Sequence, residues 1–132
     1  MSTPGLFVVF SKPTSDDPEV VEAFNDWYDN HHVPESLLLP GFVKCRRFKL
    51  AEKQLLPGKA TDPGFDYVAI YELDDIDKVP DAQALLPKLA KVSTAPEYFS
   101  PALDRDSIRS FIFEQIADID EPAPLPEGIE FP

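Results

Sequence analysis

The sequence predicts an α+β fold: a four-stranded antiparallel sheet with two helices on one of its faces. Two observations carry this. The periodic segments follow one another as β-α-β-β-α-β, and several of the 15 prolines lie between them as punctuation. The length, 132 residues, fits one domain that can bury a core without disulfides or metals.

Leu6–Phe10 (LFVVF) is a short apolar run after Pro4-Gly5 and reads as a strand buried on both faces. Ser11–Asp17 is a polar loop. Asp17 is a good N-cap, Pro18 suits the first helical position, and Glu19 and Glu22 favour the positive end of a helix dipole. Val20, Val21, Phe24, Trp27, Tyr28 and His31 then follow the spacing of one helical face. Pro34 disfavours helical geometry at Val33, so this helix is expected to stop at His31 or His32. A short turn over Glu35–Leu39 precedes Pro40-Gly41. Phe42–Leu50 reads as a strand, Ala51–Phe65 as a loop, and Asp66–Leu73 as a strand antiparallel to the previous one. Asp74–Val79 is an acidic turn. Asp81–Val92 is helical in composition, with Pro87 expected to kink or split it. A loop at Ser93–Asp106 leads to the last strand, Ser107–Ile119.

Residues 1–119 therefore form the domain, and residues 120–132 an acidic, Pro-rich tail. The tail ends in Ile129 and Phe131 and is expected to run extended over the surface, onto a partner subunit. The element order is the ferredoxin-like, split βαβ arrangement. The sheet face without helices needs cover. Two copies closing sheet against sheet make a barrel and also protect the edges, so a homodimer, a dimeric α+β barrel, is the expected assembly.

A net charge of −12 argues against nucleic acid and anionic membranes as partners. No apolar run approaches the roughly 18 residues that cross a bilayer, and no basic-then-apolar leader is visible. Cys45 is the only cysteine and cannot form an internal disulfide. A cytoplasmic protein is the resulting expectation.

Chemistry concentrates in Asn25–Phe48 (NDWYDNHHVPESLLLPGFVKCRRF), which holds both histidines, the only Trp and the only Cys. His32 can exchange a proton near neutral pH. Asp29, three residues earlier, or Tyr28, four earlier, could hold one ring nitrogen and leave the other for a substrate. His32 could equally cap the helix C-terminus. His31 follows Trp27 by four residues, and an aromatic contact is enough to explain it. Trp27 and Tyr28 fit a core stripe, and Trp27 could also wall a pocket. Arg46 and Arg47 are strand neighbours, so at most one points inward, where it would need Glu35, Asp29 or a substrate oxygen as partner. Tyr67 and Tyr71 share one strand face and could meet a phenol or carbonyl. No metal-ligand spacing or Gly-rich phosphate loop is present, so neither metal nor cofactor is expected.

The run FNDWYDNHHVPESLLLPGFVKCRRF, followed by YVAIYEL, resembles the EthD-like proteins of the dimeric α+β barrel superfamily. The matching positions are Trp27, Tyr28, Asp29, His32, Pro34, Glu35, Pro40, Gly41, Phe42, Arg47 and Phe48, within Leu6–Leu73. The resemblance implies a barrel with an apolar cavity in each subunit, aligns His32 with the family's histidine and favours Arg47 as the inward arginine. It does not choose the reaction.

The expected function is a cofactor-independent small-molecule enzyme acting on an apolar, aromatic or oxygenated substrate in the barrel cavity. His32 would be the general acid/base, oriented by Asp29 or Tyr28, with Arg47 or a tyrosine stabilising negative charge on oxygen. Isomerase, cyclase, lyase and oxygenase chemistry all need only these parts. The alternative is a non-catalytic ligand-binding or stress-associated barrel protein.

Overall fold

The computed structural model describes residues 2–56 and 62–132. Strand β1 (Gly5–Ser11) leads to helix α1 (Pro18–Trp27), a π turn (Tyr28–His32) and a short helix α2 (Val33–Ser36). Strands β2 (Phe42–Lys49) and β3 (Tyr67–Leu73) follow, then helix α3 (Val79–Lys91) and strand β4 (Arg109–Glu114). The sheet has the order β2-β3-β1-β4 with every pair antiparallel, the ferredoxin-like arrangement. Part of the loop expected over Ala51–Phe65 lies outside the described residues.

Local signals act as their chemistry requires. The Asp17 carboxylate accepts the Glu19 backbone N–H at 3.1 Å, with Pro18 in the first turn of α1. Gly41 takes φ 84° in the turn that starts β2, and its carbonyl accepts the Asp74 N–H at 3.0 Å. That bond joins the entrance of β2 to the exit of β3.

Two elements differ from expectation. β4 ends at Glu114 rather than Ile119 and starts at Arg109, because its ladder is limited by β1. The final bond is Gln115 N–H to the Pro4 carbonyl at 2.9 Å, and Pro4 has no N–H to return. α3 runs unbroken through Pro87. Pro87 faces solvent, where water can take the carbonyl that the proline leaves unpaired.

The two sheet faces have different fates. Beneath the helices, Phe24 and Trp27 of α1 and Tyr28 of the π turn pack on Ala69 and Tyr71 of β3, with Ala95, Ala102 and Leu103 from the segment before β4. Phe24 and Tyr71 are wholly enclosed. On the other face, cross-strand register aligns Arg46, Ile70, Val8 and Phe111, flanked by Leu6 with Phe113 and by Phe10 with Val68. Only Val8 is closed off there, and Phe48, Phe111 and Phe113 stay about half exposed.

Candidate functional site

The expected stop of the first helix at His31 or His32 does not occur. Val33 N–H reaches back to the Tyr28 carbonyl, five residues away, and the chain continues into α2 with Val33 at φ −65° and ψ −51°. A proline in a regular α-helix collides with the carbonyl four residues before it and lacks the N–H that would bond there. The turn that precedes Pro34 is the wider π type instead. Such single turns recur at functional sites.

The widening also sets which side chains meet. His32 stacks on Trp27, five residues earlier, with ring centroids 4.5 Å apart and planes 21° apart. The edges of Tyr28 and Tyr98 complete its surroundings, each centroid 5.5 Å away. Trp27 Nε1 donates to the Tyr98 carbonyl at 3.2 Å, which ties the α1 end to the segment after α3. Burial pushes the His32 pKa down to about 4, against a small opposing pull from Glu35, so the ring is neutral at pH 7. A neutral ring inside a continuing helical path has no C-terminal dipole to cap. Among the described residues nothing hydrogen-bonds its nitrogens.

His32 instead lines a cavity of about 330 Å³ between the sheet and the helices. Phe7, Val9 and Ile112 form its sheet wall, Ala82 and Leu86 its α3 wall, and Tyr98 and Phe99 its far end. Ser36, Gln83 and Ser110 are polar points in an otherwise mainly apolar lining. The cavity is lined by residues of this chain and lies on the helix side of the sheet. A concave, largely apolar site with a few polar groups is the usual form of a small-molecule site.

The other expected site residues separate into groups. Trp27 and Tyr28 line the cavity, although the Tyr28 hydroxyl is engaged with Ser11 Oγ at 3.1 Å and burial raises its pKa. Asp29 does not orient His32. It faces outward and accepts Arg47 Nη1 at 2.7 Å, while Arg47 Nη2 donates to Asn25 Oδ1 at 2.9 Å. The Arg47 guanidinium also lies 4.4 Å from the Tyr28 ring centroid. Arg47 is thus the inward arginine and Arg46 the exposed one, but Arg47 is held by Asn25 of α1 and Asp29 of the π turn and does not line the cavity. Tyr67 and Tyr71 do not line it either. Tyr71 is core beside Phe7 and Phe42, and Tyr67 packs on Phe24.

Glu35 holds the segment after α3. Its Oε1 accepts Thr94 N–H and Thr94 Oγ1, both at 2.7 Å, and Ser93 Oγ at 3.1 Å. Partial burial works to raise the Glu35 pKa, but these bonds and nearby His31 hold it below its ordinary value. His31 Nδ1 sits 2.9 Å from Thr94 Oγ1 and so joins the same clasp. The cavity residues missed in the sequence, Tyr98 and Phe99, hang from this segment. Two adjacent aromatics between Pro96 and Pro101 were the available signal, since such rings are costly to leave in a loop. Cys45 is half-buried with its thiol pushed up to about 11, so it is not an activated nucleophile. Among the described residues no cluster of three or more His, Cys, Asp or Glu could hold a metal ion, and no helix is long and apolar enough to cross a membrane.

No protein-family model and no curated protein matches the sequence. Solved structures do match. An EthD (ethyl tert-butyl ether D) family protein from Bacillus halodurans is 18% identical over 86% of this chain and 99% of its own, with a TM-score of 0.50. Dimeric ferredoxin-like proteins of unknown function from Thermobifida fusca (14% identical, 87% and 93% covered, TM-score 0.46) and a Jannaschia species (12%, 85% and 99%, TM-score 0.47) lie further off. The likeness read in Leu6–Leu73 thus extends to the fold that this chain shares with an EthD-family protein.

Proposed function

We propose that the cavity binds a flat, largely apolar molecule that turns one phenol or enol hydroxyl toward His32. The observation that carries this is a neutral imidazole, stacked on Trp27 and free of protein hydrogen bonds, in the wall of an otherwise mainly apolar cavity. A basic nitrogen accepts a hydrogen bond from the hydroxyl, and the apolar walls take the ring system.

The reaction served best is transfer of that hydroxyl proton to the His32 nitrogen, which leaves the oxygen's electron pair on the conjugated system. Isomerisation, cyclisation, lyase and oxygenation chemistry share such a species. The transfer is uphill. Burial lowers the His32 pKa to about 4, well below that of an ordinary phenol, so His32 is a weak base and its neutral ring supplies no proton for general acid catalysis at pH 7. That weakness favours one other reading, a binder without turnover, in which His32 only selects the hydroxyl.

We also propose a homodimer built on the open sheet face, where Phe48, Phe111 and Phe113 stand about half exposed in one chain.

Trp27 is the only tryptophan and reports on the cavity directly. Its fluorescence should be titrated with 1-naphthol and with naphthalene. The wild type is expected to bind the naphthol about tenfold tighter, the weight of one hydrogen bond. His32→Phe keeps the stack and should bind both alike. Equal affinity of the wild type for the two compounds sinks the proposal.

A further inference from the structure

We infer that Gln83 of α3 and Ser110 of β4 read a second group on the ligand, a neutral carbonyl oxygen at the end remote from His32. The inference rests on the ligand reading above and adds what the molecule carries at its other end.

The first observation is that both residues break an apolar pattern. Val79, Ala82, Gln83 and Leu86 follow the spacing of one helical face and line the cavity from α3. Gln83 is the polar member of that stripe. Ile108, Ser110 and Ile112 alternate into β4 and line the cavity from the sheet. Ser110 pairs with Val9 and Ile112 with Phe7, both cavity walls, so the serine sits in an otherwise apolar layer. Two separate elements each put one polar side chain where their own spacing asks for an apolar one.

The second observation is that these two side chains have donors to spare. Ser36, the other polar point, is engaged, its Oγ donating to the His32 carbonyl at 2.7 Å. The side chains of Gln83 and Ser110 bond to nothing among the described residues.

The third observation is position. Gln83 and Ser110 are exposed, and their cavity neighbours Leu86 and Ile112 are 40% and 44% exposed. Trp27 and Tyr28, which pack against His32, are buried. The cavity therefore opens between α3 and β4, an edge strand of the sheet, and His32 stands toward its closed end. A flat ligand with its hydroxyl on His32 brings its far end between Gln83 and Ser110.

The lining selects the chemistry of that end. A carbonyl oxygen has two lone pairs and can accept from Gln83 Nε2–H and Ser110 Oγ–H together. Among the described residues no Lys or Arg lines the cavity, and the chain's net charge is −12. A carboxylate there would meet no cation.

Calorimetric titration of the full chain with four probes tests this: 6-acetyl-2-naphthol, 6-isopropyl-2-naphthol, 6-hydroxy-2-naphthoate and 2-acetylnaphthalene. The isopropyl compound has the shape of the acetyl compound without its oxygen. The wild type is expected to bind the acetyl naphthol about tenfold tighter than the isopropyl one, the weight of one to two neutral hydrogen bonds, and tighter than the carboxylate. Gln83→Leu with Ser110→Ala, both at exposed positions, should bring the acetyl-to-isopropyl ratio to about one. The preference for 6-acetyl-2-naphthol over 2-acetylnaphthalene, which reports on His32, should persist in that variant. His32→Phe should show the reverse pattern. Equal binding of the acetyl and isopropyl compounds by the wild type, a ratio that survives the double variant, or tighter binding of the carboxylate overturns the inference. A ratio that is lost in the double variant, in a protein that ignores the ligand's hydroxyl, supports the inference and overturns the His32 reading alone. Failure of all four probes to bind overturns both.

Discussion

The two faces of this sheet are built from the same strands by the same alternation, yet the chain finishes only one of them. On the helix side, Phe24, Trp27 and Tyr28 cover Ala69 and Tyr71 and leave a cavity walled by residues of one copy. On the opposite side, Phe111 and Phe113 are as apolar but stay about half exposed. The difference separates two tasks. The proposed function assigns ligand chemistry to the single chain and assembly to the face left more exposed. A substitution should therefore disturb one task or the other, according to the face it points from.

The largest contrast is between two phenylalanines. Phe24→Ala removes a wholly enclosed side chain and is expected to cost about 3–5 kcal/mol of stability, read from urea melts. Phe111→Ala should change a dilute monomer's stability by less than about 1 kcal/mol, but weaken self-association. Equal losses of stability from both would show that the open face is not open.

Next in size is the pH response of the helix side. His32 binds a proton in the unfolded chain below about 6.5 but in the folded chain only near about 4. Between those values the unfolded state holds more protons, so stability falls as pH falls through the window. The loss attributable to His32 at pH 4.5 is on the order of 2–3 kcal/mol relative to pH 7. His32→Gln should remove that part while the carboxylates titrate in both backgrounds. Parallel slopes for the two proteins would contradict the buried neutral ring.

The smallest effect concerns the clasp over the cavity. Glu35→Gln keeps an oxygen for Thr94 and Ser93 but loses the charge, and is expected to cost about 1 kcal/mol. Hydrogen exchange of the Thr94 amide, which bonds to Glu35 at 2.7 Å, should quicken accordingly. Unchanged exchange would mean that the segment is held by Trp27 and Tyr98 alone.

Much of the fold was legible in the order of segments, because a strand or an amphipathic helix is set by its own residues and their spacing. The site was legible in part. Trp27, Tyr28 and His32 line the cavity as expected, but Asp29, Arg47, Tyr67 and Tyr71 do not. Spacing on a regular helix put Asp29 beside His32. The π turn instead brought Trp27 there, and Asp29 went to Arg47.

By itself, the sequence determined what short-range chemistry can decide: the Asp17 cap, the turn at Gly41, four strands, two main helices and their order. Only the tertiary structure decided that the helix continues past Pro34, that Tyr98 and Phe99 line the cavity, and that burial lowers the His32 pKa. The reason is physical. Each of these outcomes depends on what a residue meets from far along the chain, and burial among such neighbours outweighs the local preference that spacing records.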